Sequence, residues 1–302
     1  MAWEDLLSPW PNERAFASAL CRVRVREGGF WGIGGTVKTY FIGTENEYTP
    51  LGATPYRNSL YLDPQTAVVD EEVVVTVPDE ELAPKGERNY TINIRENGMA
   101  DIAVEELTWG PGVGGFRKQY TEMLPEDRKR HYEELLGGIS QAADATRDLM
   151  TDVESYPARR TFECVVPNYA TVEGDTITVS LPEIGAQLVP LTGSVREAPI
   201  AFATTDPFSL RLEVTFPEGY TEIEHLAKNF TVWVPSANYV REYYFNTLLD
   251  EKGTRLTVYL DRCRAEARAS SADKSYFEYL KSMNRQATSR ATRTVTVRRA
   301  KR

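Results

Sequence analysis

Histidine and cysteine are the scarcest reactive residues of this chain, and their scarcity excludes several kinds of site. The 302 residues include two histidines, His131 and His225, and three isolated cysteines, Cys21, Cys164 and Cys263. An odd cysteine count without a C-x-x-C spacing supports neither a disulfide scaffold nor a structural zinc site. We therefore expect no metal site and no cofactor, and we expect the cysteines to be buried as small apolar side chains.

Long apolar runs are also missing. No stretch approaches the roughly 20 apolar residues that a helix needs to cross a bilayer, so we predict no membrane span. Segment 1–13 is acidic and contains two prolines, and it therefore lacks the basic start and apolar middle of a signal peptide. If Met1 is the natural start, we expect no export by the usual route. The compartment is left open by these observations.

Positive charge is concentrated at the carboxyl end. The formal net charge is −9, yet residues 281–302 hold eight basic residues and no acidic one. Basic patches that bind nucleic acid usually carry interleaved aromatic residues, and the acidic remainder of the chain would repel phosphates. We interpret this end as a solvated last strand and tail, and we predict no nucleic acid partner.

Alternation of polar and apolar residues is the dominant pattern and predicts a strand-rich chain. The turn Glu96-Asn97-Gly98 joins two such runs, which is typical of a β-hairpin, and Glu173-Gly174-Asp175 predicts a second turn. The predicted strands are Val73–Val77, Tyr90–Ile94, Ile102–Trp109, Thr161–Val166, Thr176–Leu181, Leu210–Phe216, Phe230–Val234, Tyr239–Phe245, Leu256–Leu260 and Thr294–Val297. A further turn is predicted at Asp250–Gly253.

Helical spacing of apolar residues predicts three helices. The first begins near Pro125 and carries Tyr132, Leu135, Leu136 and Ile139 on one face, and the second begins at Ser140 and runs to Met150. The third is short and covers Ala272–Met283. The glycine-rich stretch 109–117 lacks the G-K-[ST] ending of a phosphate loop, so we interpret it as a flexible connection from a strand to a helix.

These elements predict an α+β fold dominated by strands. Antiparallel, sandwich-like sheets would be accompanied by two central helices and one short C-terminal helix. We predict three domains, comprising residues 1–66, 67–203 and 204–302. The middle one would be an antiparallel sheet with a helical cover, and a proline-containing linker or crossover is predicted at 182–206.

Two segments resemble the rear end of the core of bacterial transglutaminase-like proteins. They are R-A-F-A-S-A-L-C-R-V, Arg14–Val23, and Y-F-I-G-T-E-N-E-Y-T-P-L-G, Tyr40–Gly52. In that family the first segment usually reads F-N-H-A, with the general-base His, and the second carries the Asp that orients it. Here Ser18 stands at the His position and Ile42–Thr44 at the Asp position. The nucleophilic Cys of the family would precede Met1.

The resemblance extends over residues 14–300. Its further pieces are the N-G hairpin, the segment G-D-T-I-T-V-S-L-P, and the aromatic helix segment Tyr276–Lys281 followed by one last strand. This region resembles the domains of unknown function that follow the core in such proteins. The resemblance implies β-rich domains and a cell-envelope setting. It transfers no catalytic residue, since the family's catalytic positions are altered or missing.

We therefore expect a non-catalytic binding or scaffolding module of a transglutaminase-like protein. Its partner would be a protein or a ligand derived from the cell envelope. The alternative is a thiol hydrolase or acyltransferase assembled from Cys21 or Cys164 with His225. The identity of the ligand and the oligomeric state are left open.

Aromatic residues supply the only candidate ligand contacts. Tyr239, Tyr243, Tyr244 and Phe245 cluster in one predicted strand, and Trp233 lies close in sequence. Strand alternation favours a core position for about half of them. If one face of this sheet stacks on a sugar or a peptide, we expect Trp233 and Tyr244 to make the contact.

Overall fold

The computed structural model describes residues 20–28, 35–43, 46–53, 58–62, 69–76, 82–183, 208–227, 230–235, 240–249, 255–262, 274–289 and 293–301. Several sequence predictions fall outside these residues. They include Ser18, Thr44, Val77, Tyr239, Cys263, the turn Asp250–Gly253, and the linker 182–206 apart from residues 182 and 183.

Strands outnumber helices among the described residues, which confirms the α+β, strand-dominated fold class. In chain order the strands are β1 (Leu20–Glu27), β2 (Thr36–Gly43), β3 (Asn58–Leu62), β4 (Val69–Thr76), β5 (Lys85–Ile94), β6 (Ala100–Trp109), β7 (Asp144–Ala145), β8 (Met150–Asp152), β9 (Ala158–Val166), β10 (Ala170–Glu173), β11 (Thr176–Ser180), β12 (Phe208–Thr215), β13 (Tyr220–His225), β14 (Phe230–Pro235), β15 (Val240–Leu249), β16 (Arg255–Arg262) and β17 (Thr294–Arg299). The helices are α1 (Gly112–Glu122), α2 (Pro125–Ile139) and α3 (Lys274–Thr288). None of the helices in this described part is long and apolar enough to cross a bilayer.

The described strands form four sheets. The largest has nine strands in the order β14-β15-β16-β12-β5-β6-β9-β7, with β8 also paired to β9, and a second has the order β10-β11-β17-β13. Two further sheets are the pairs β1-β2 and β3-β4. The pairing of β12 with β5 is parallel, so the largest sheet is mixed rather than purely antiparallel. A parallel pair needs a long crossover connection, which the chain between β5 and β12 provides.

The described residues group into two compact units, each built from separate stretches of chain. One unit draws on Met1–Pro84, Thr108–Glu122 and Tyr156–Ala158, and the other draws on Lys85–Leu107, Met123–Ser155 and Arg159–Arg302. The three domains expected from the sequence stay a prediction.

Each predicted strand overlaps an observed one, and the two predicted turns that can be compared are present. Gly98 has a φ of 81° between β5 and β6, and Gly174 has a φ of 60° between β10 and β11. Glycine reaches this left-handed region without a steric penalty. The hairpin at Gly98 is closed by a hydrogen bond from Arg95 N to Met99 O at 2.8 Å.

The prediction for the central helices is partly wrong. The first predicted helix is α2, which begins at Pro125 as expected. The second is absent, because Ser140 is extended, with φ −161° and ψ 141°, and ends α2 by donating its N–H to Leu136 O. The short strands β7 and β8 follow instead. The other central helix is α1, in the glycine-rich stretch that the sequence indicated as a flexible connection.

The two faces of the largest sheet differ in polarity. Tyr90, Ile92 and Ile94 on β5 alternate with Thr91 and Asn93, and the first three are buried whereas the last two are exposed. The same buried face includes Ile102, Val104, Phe162, Cys164, Val166, Leu210, Leu212 and Val214. A half-buried sheet requires this period of two. We call the side of the sheet with Tyr90, Ile92 and Ile94 the apolar face, and the side with Thr91 and Asn93 the polar face.

Candidate binding face

The strand register determines on which face each position of the largest sheet lies. Thr231 pairs with Tyr244, Tyr244 with Asp261, Asp261 with Ser209, and Ser209 with Glu87. Directly paired residues lie on the same face of a sheet. These positions therefore form one row across five strands, and the row lies on the polar face, because Glu87 alternates with the buried Tyr90 on β5.

The two aromatic candidates from the sequence lie on this same face. Trp233 follows Thr231 by two positions and pairs with Glu242, which is two positions before Tyr244. Tyr244 and Trp233 are thus diagonal neighbours on adjacent strands, a relation that places residues about 7–8 Å apart. The neighbouring row adds Tyr259, which pairs with Arg211.

Charged and amide side chains lie on the described part of the polar face. Asn89 donates to Glu87 Oε1 and to Glu105 Oε2, both at 3.2 Å. The Arg159 guanidinium lies 2.7 Å from Glu105 Oε1, and Glu213 is paired with both Arg211 and Arg255. These side chains are half-buried or exposed, although Asn89 Oδ1 itself is a buried atom.

A charged cluster that the sequence analysis missed lies at one end of the apolar face. Its members are Arg88, Tyr90, Glu106, His131, Arg160 and Glu183. Arg88 Nε lies 2.8 Å from Glu106 Oε1, and Arg88 also pairs with Glu183. Glu106 pairs with Arg160 as well. The cluster balances two guanidinium groups against two carboxylates.

Tyr90 completes this cluster. Burial, followed by the neighbouring Glu183 carboxylate, raises the pKa of the Tyr90 hydroxyl above its ordinary value. The hydroxyl therefore stays protonated and donates to Glu183 Oε1 at 2.6 Å. A sequence signal for this cluster exists, since Arg88, Glu106 and Arg160 occupy inward positions of alternating strands, where an apolar residue is the usual choice.

The two thiols that the structure describes, Cys164 and Cys21, differ in burial. Cys164 is 1% exposed on the apolar face, and burial raises the pKa of its thiol to about 11. Such a thiol is protonated at neutral pH and is a poor nucleophile. The expected burial is thus confirmed for Cys164 and wrong for Cys21, which is exposed in β1. His225 ends β13, opposite Thr296 of β17.

The described residues offer no clustered set of metal ligands, and two arginines of the carboxyl end are paired with acidic residues. Within the described ranges, no group of three or more His, Cys, Asp or Glu side chains is placed to hold a metal ion. In β17, Arg298 pairs with Glu224, and Arg299 lies 2.7 Å from Glu96. These two basic residues of the carboxyl end therefore have acidic partners within the fold.

Comparison with known proteins identifies no relative. No family model matches the chain, and neither a curated protein nor a solved structure matches it. The resemblance to transglutaminase-like proteins therefore stays a prediction made from the sequence motifs.

Proposed function

We propose that this chain is a non-catalytic binding module whose ligand contacts the polar face of the largest sheet at Trp233 and Tyr244. The observation that supports this proposal is the register that sets both aromatic positions on the face whose described side chains are polar. Strand alternation normally reserves that face for solvated residues. Two aromatic positions side by side on such a face are a common feature of ligand contact surfaces.

The chemistry of the face favours a ligand that is both flat and polar. Aromatic rings stack on flat apolar patches. On the same face, but three to five strands away from Tyr244, Asn89, Glu105 and Arg159 carry polar groups that can exchange hydrogen bonds with the hydroxyl and amide groups of a long ligand. A glycan strand of the cell wall has this combination, and so we propose a ligand derived from the cell envelope. We propose on the sequence motifs alone that the module belongs to a transglutaminase-like protein.

The catalytic alternative has less support. A thiol hydrolase needs a thiolate next to an imidazole, and the high pKa of the buried Cys164 thiol opposes this role. No observation among the described residues favours assembly of such a site from Cys21 and His225. We therefore retain binding as the proposed function.

The proposal is tested by binding to insoluble peptidoglycan, measured as the fraction of protein that sediments with it. Trp233→Ala and Tyr244→Ala should each weaken binding by roughly tenfold, equivalent to about 1.4 kcal/mol, because each removes a stacking contact. Thr91→Ala, on the same face but on β5, is the matched control and should bind like the wild type. All three variants should keep the wild-type thermal unfolding temperature to within a few degrees.

Two results would contradict the proposal. If both aromatic variants bind like the wild type, the ligand contacts another surface. If the wild-type protein does not sediment with peptidoglycan, a cell-wall ligand is excluded.

A further inference from the structure

The contact between His131 and Arg160 joins α2 to the largest sheet. His131 lies in the first half of α2, and Arg160 lies on β9 at the charged end of the apolar face. Arg160 Nη1 is 3.2 Å from His131 Nε2. The Arg160 side chain is 11% exposed and the His131 side chain 20%, so water screens this contact only weakly.

The donor and acceptor of this hydrogen bond follow from chemistry. A guanidinium is always protonated in a protein and can only donate. His131 Nε2 must therefore accept through its lone pair, and the proton of the neutral ring must be on Nδ1. The bond can exist only while His131 is neutral. Protonation adds a hydrogen to Nε2, and this N–H donor would then face the N–H donor of Arg160.

Among the described residues, Arg160, Glu106 and Glu134 are charged groups that face the His131 ring. Arg160 and Glu106 approach from the sheet, and Glu134 lies one turn along α2, with its Oε2 3.8 Å from His131 Nδ1. Glu134 is 67% exposed, so solvent weakens its attraction for a protonated ring. Glu106 is already paired with Arg88 and Arg160. Burial and the charge of Arg160 thus disfavour a protonated ring, whereas the two carboxylates favour it, and the net effect disfavours protonation.

We propose that the hydrogen bond between His131 and Arg160 is a pH-sensitive latch, which fastens the first half of α2 to β9 at neutral pH and opens in acid. Other contacts of α2 do not depend on this proton. Arg128 donates to Leu149 O at 3.1 Å and to Thr151 Oγ1 at 2.9 Å, and Tyr132 donates to Arg147 O at 2.5 Å. Acid therefore loosens α2 at His131 without detaching the helix.

The pH range of the opening follows from the ring's surroundings. Burial, followed by the charge of Arg160, lowers the pKa of His131 below its ordinary 6.5. Well above pH 6.5 the ring is neutral in both folded and unfolded chains, and the latch contributes fully. As the pH falls below 6.5, the unfolded chain takes up a proton that the folded chain resists, so stability declines until the folded ring is also protonated.

The chain contains only two histidines, which allows a matched experiment. Amide hydrogen exchange is measured at pH 7.5 and at a pH one unit below the His131 titration midpoint found by NMR, and protection factors in α2 are corrected for the intrinsic exchange rate at each pH. In the wild type and in His225→Gln, protection around His131 should fall about tenfold or more at the lower pH, as expected for losing one hydrogen bond to a charged group. In His131→Gln it should change little, because the Gln carbonyl oxygen accepts from Arg160 at both pH values.

A second measurement uses only the wild-type protein, in case His131→Gln fails to fold. Nitrogen NMR of the His131 ring at pH 7.5 should show an unprotonated Nε2, and the ring should titrate below pH 6.5. A protonated Nε2 at pH 7.5, a titration midpoint at or above 6.5, or an equal loss of protection in His131→Gln would each overturn the latch.

Discussion

At the scale of single residues, the inward positions of three neighbouring strands change from apolar to charged within one step of the alternation. On β5 the inward position next to Tyr90 is Arg88. On β6 the inward position next to Val104 is Glu106, and on β9 the one next to Phe162 is Arg160. Charges at inward positions are costly unless they are paired. The pairing of these residues with one another explains how the sheet tolerates them, and no single strand's sequence contains that information.

Cysteine reactivity provides a test at the same scale. With iodoacetamide at neutral pH, we expect Cys21 to be alkylated in the native protein and Cys164 to react only after denaturation, because the first is exposed and the second is buried with a pKa near 11. Peptide mass spectrometry assigns the label to each residue. The unfolded chain in urea is the control for intrinsic reactivity.

The opposite pattern would revive the enzymatic hypothesis. Native alkylation of Cys164 that is faster than in urea would mean an activated thiol, which the burial of this side chain does not support.

At the scale of elements, α1 shows how tertiary contacts outweigh helix propensity. Glycine lowers helix stability by about 1 kcal/mol relative to alanine, so the run Gly112-Val113-Gly114-Gly115 predicts a poor helix. Yet Val113 is fully buried, and a Cβ at Gly114 would lie 2.3 Å from Thr49 Oγ1. Glycine at 114 thus permits a close approach of segment 46–53, and packing offsets the propensity loss.

Two neighbouring glycines of α1 should respond oppositely to the same substitution. Gly115→Ala should stabilise the protein by up to about 1 kcal/mol, since its new Cβ meets nothing within 4 Å and alanine favours the helix. Gly114→Ala should destabilise it by about 1–3 kcal/mol, because the new Cβ overlaps Thr49. Urea unfolding measures both free energies, and each variant is the control for the other. Equal effects at the two positions would mean that Thr49 does not approach α1 closely.

The segment after α2 illustrates the limit of periodic patterns. Ala142, Ala145, Leu149 and Met150 have helical spacing, but Leu149 is 6% exposed and Met150 is 65% exposed. Only one of these two residues therefore joins the core. The extended Ser140 and the short pairings of β7 and β8 with β9 replace a helix of weak amphipathicity. Whether such a segment forms a helix or strands is decided by residues distant in sequence, here those of β9.

At the scale of the whole molecule, the carboxyl end is structural. β17 lies between β11 and β13 and is antiparallel to both. Val295 and Val297 are buried, and Thr296 Oγ1 lies 3.0 Å from Thr178 Oγ1. This basic segment is therefore a strand inside a sheet, in agreement with the predicted last strand.

Removing residues 294–302 tests this role. The truncated chain loses two buried valines, worth about 1.5–3 kcal/mol each, and the hydrogen bonds on both sides of β17. Total stabilities are about 5–15 kcal/mol, so we expect the cooperative thermal transition to weaken severely or to vanish, as followed by circular dichroism. A chain lacking only residues 301–302 is the control and should unfold like the wild type. An unchanged transition after removal of 294–302 would show that β17 is dispensable.

The amino-acid sequence by itself determined the local elements. Alternation predicted ten of the seventeen described strands, the Asn97-Gly98 turn formed as predicted, and Pro125 began α2, because these features depend on near neighbours and on backbone sterics. The sequence also indicated Trp233 and Tyr244, without showing on which face they lie.

Tertiary structure decided the rest. The parallel pairing of β12 with β5, the helix in the glycine-rich stretch, the ion cluster around Glu106 and the contact of His131 with Arg160 all join residues far apart in the chain. Their stability comes from burial and from charge pairing between distant segments, which a period along one segment does not encode. The shared face of Trp233 and Tyr244 likewise follows from the strand register, which is set by the whole sheet.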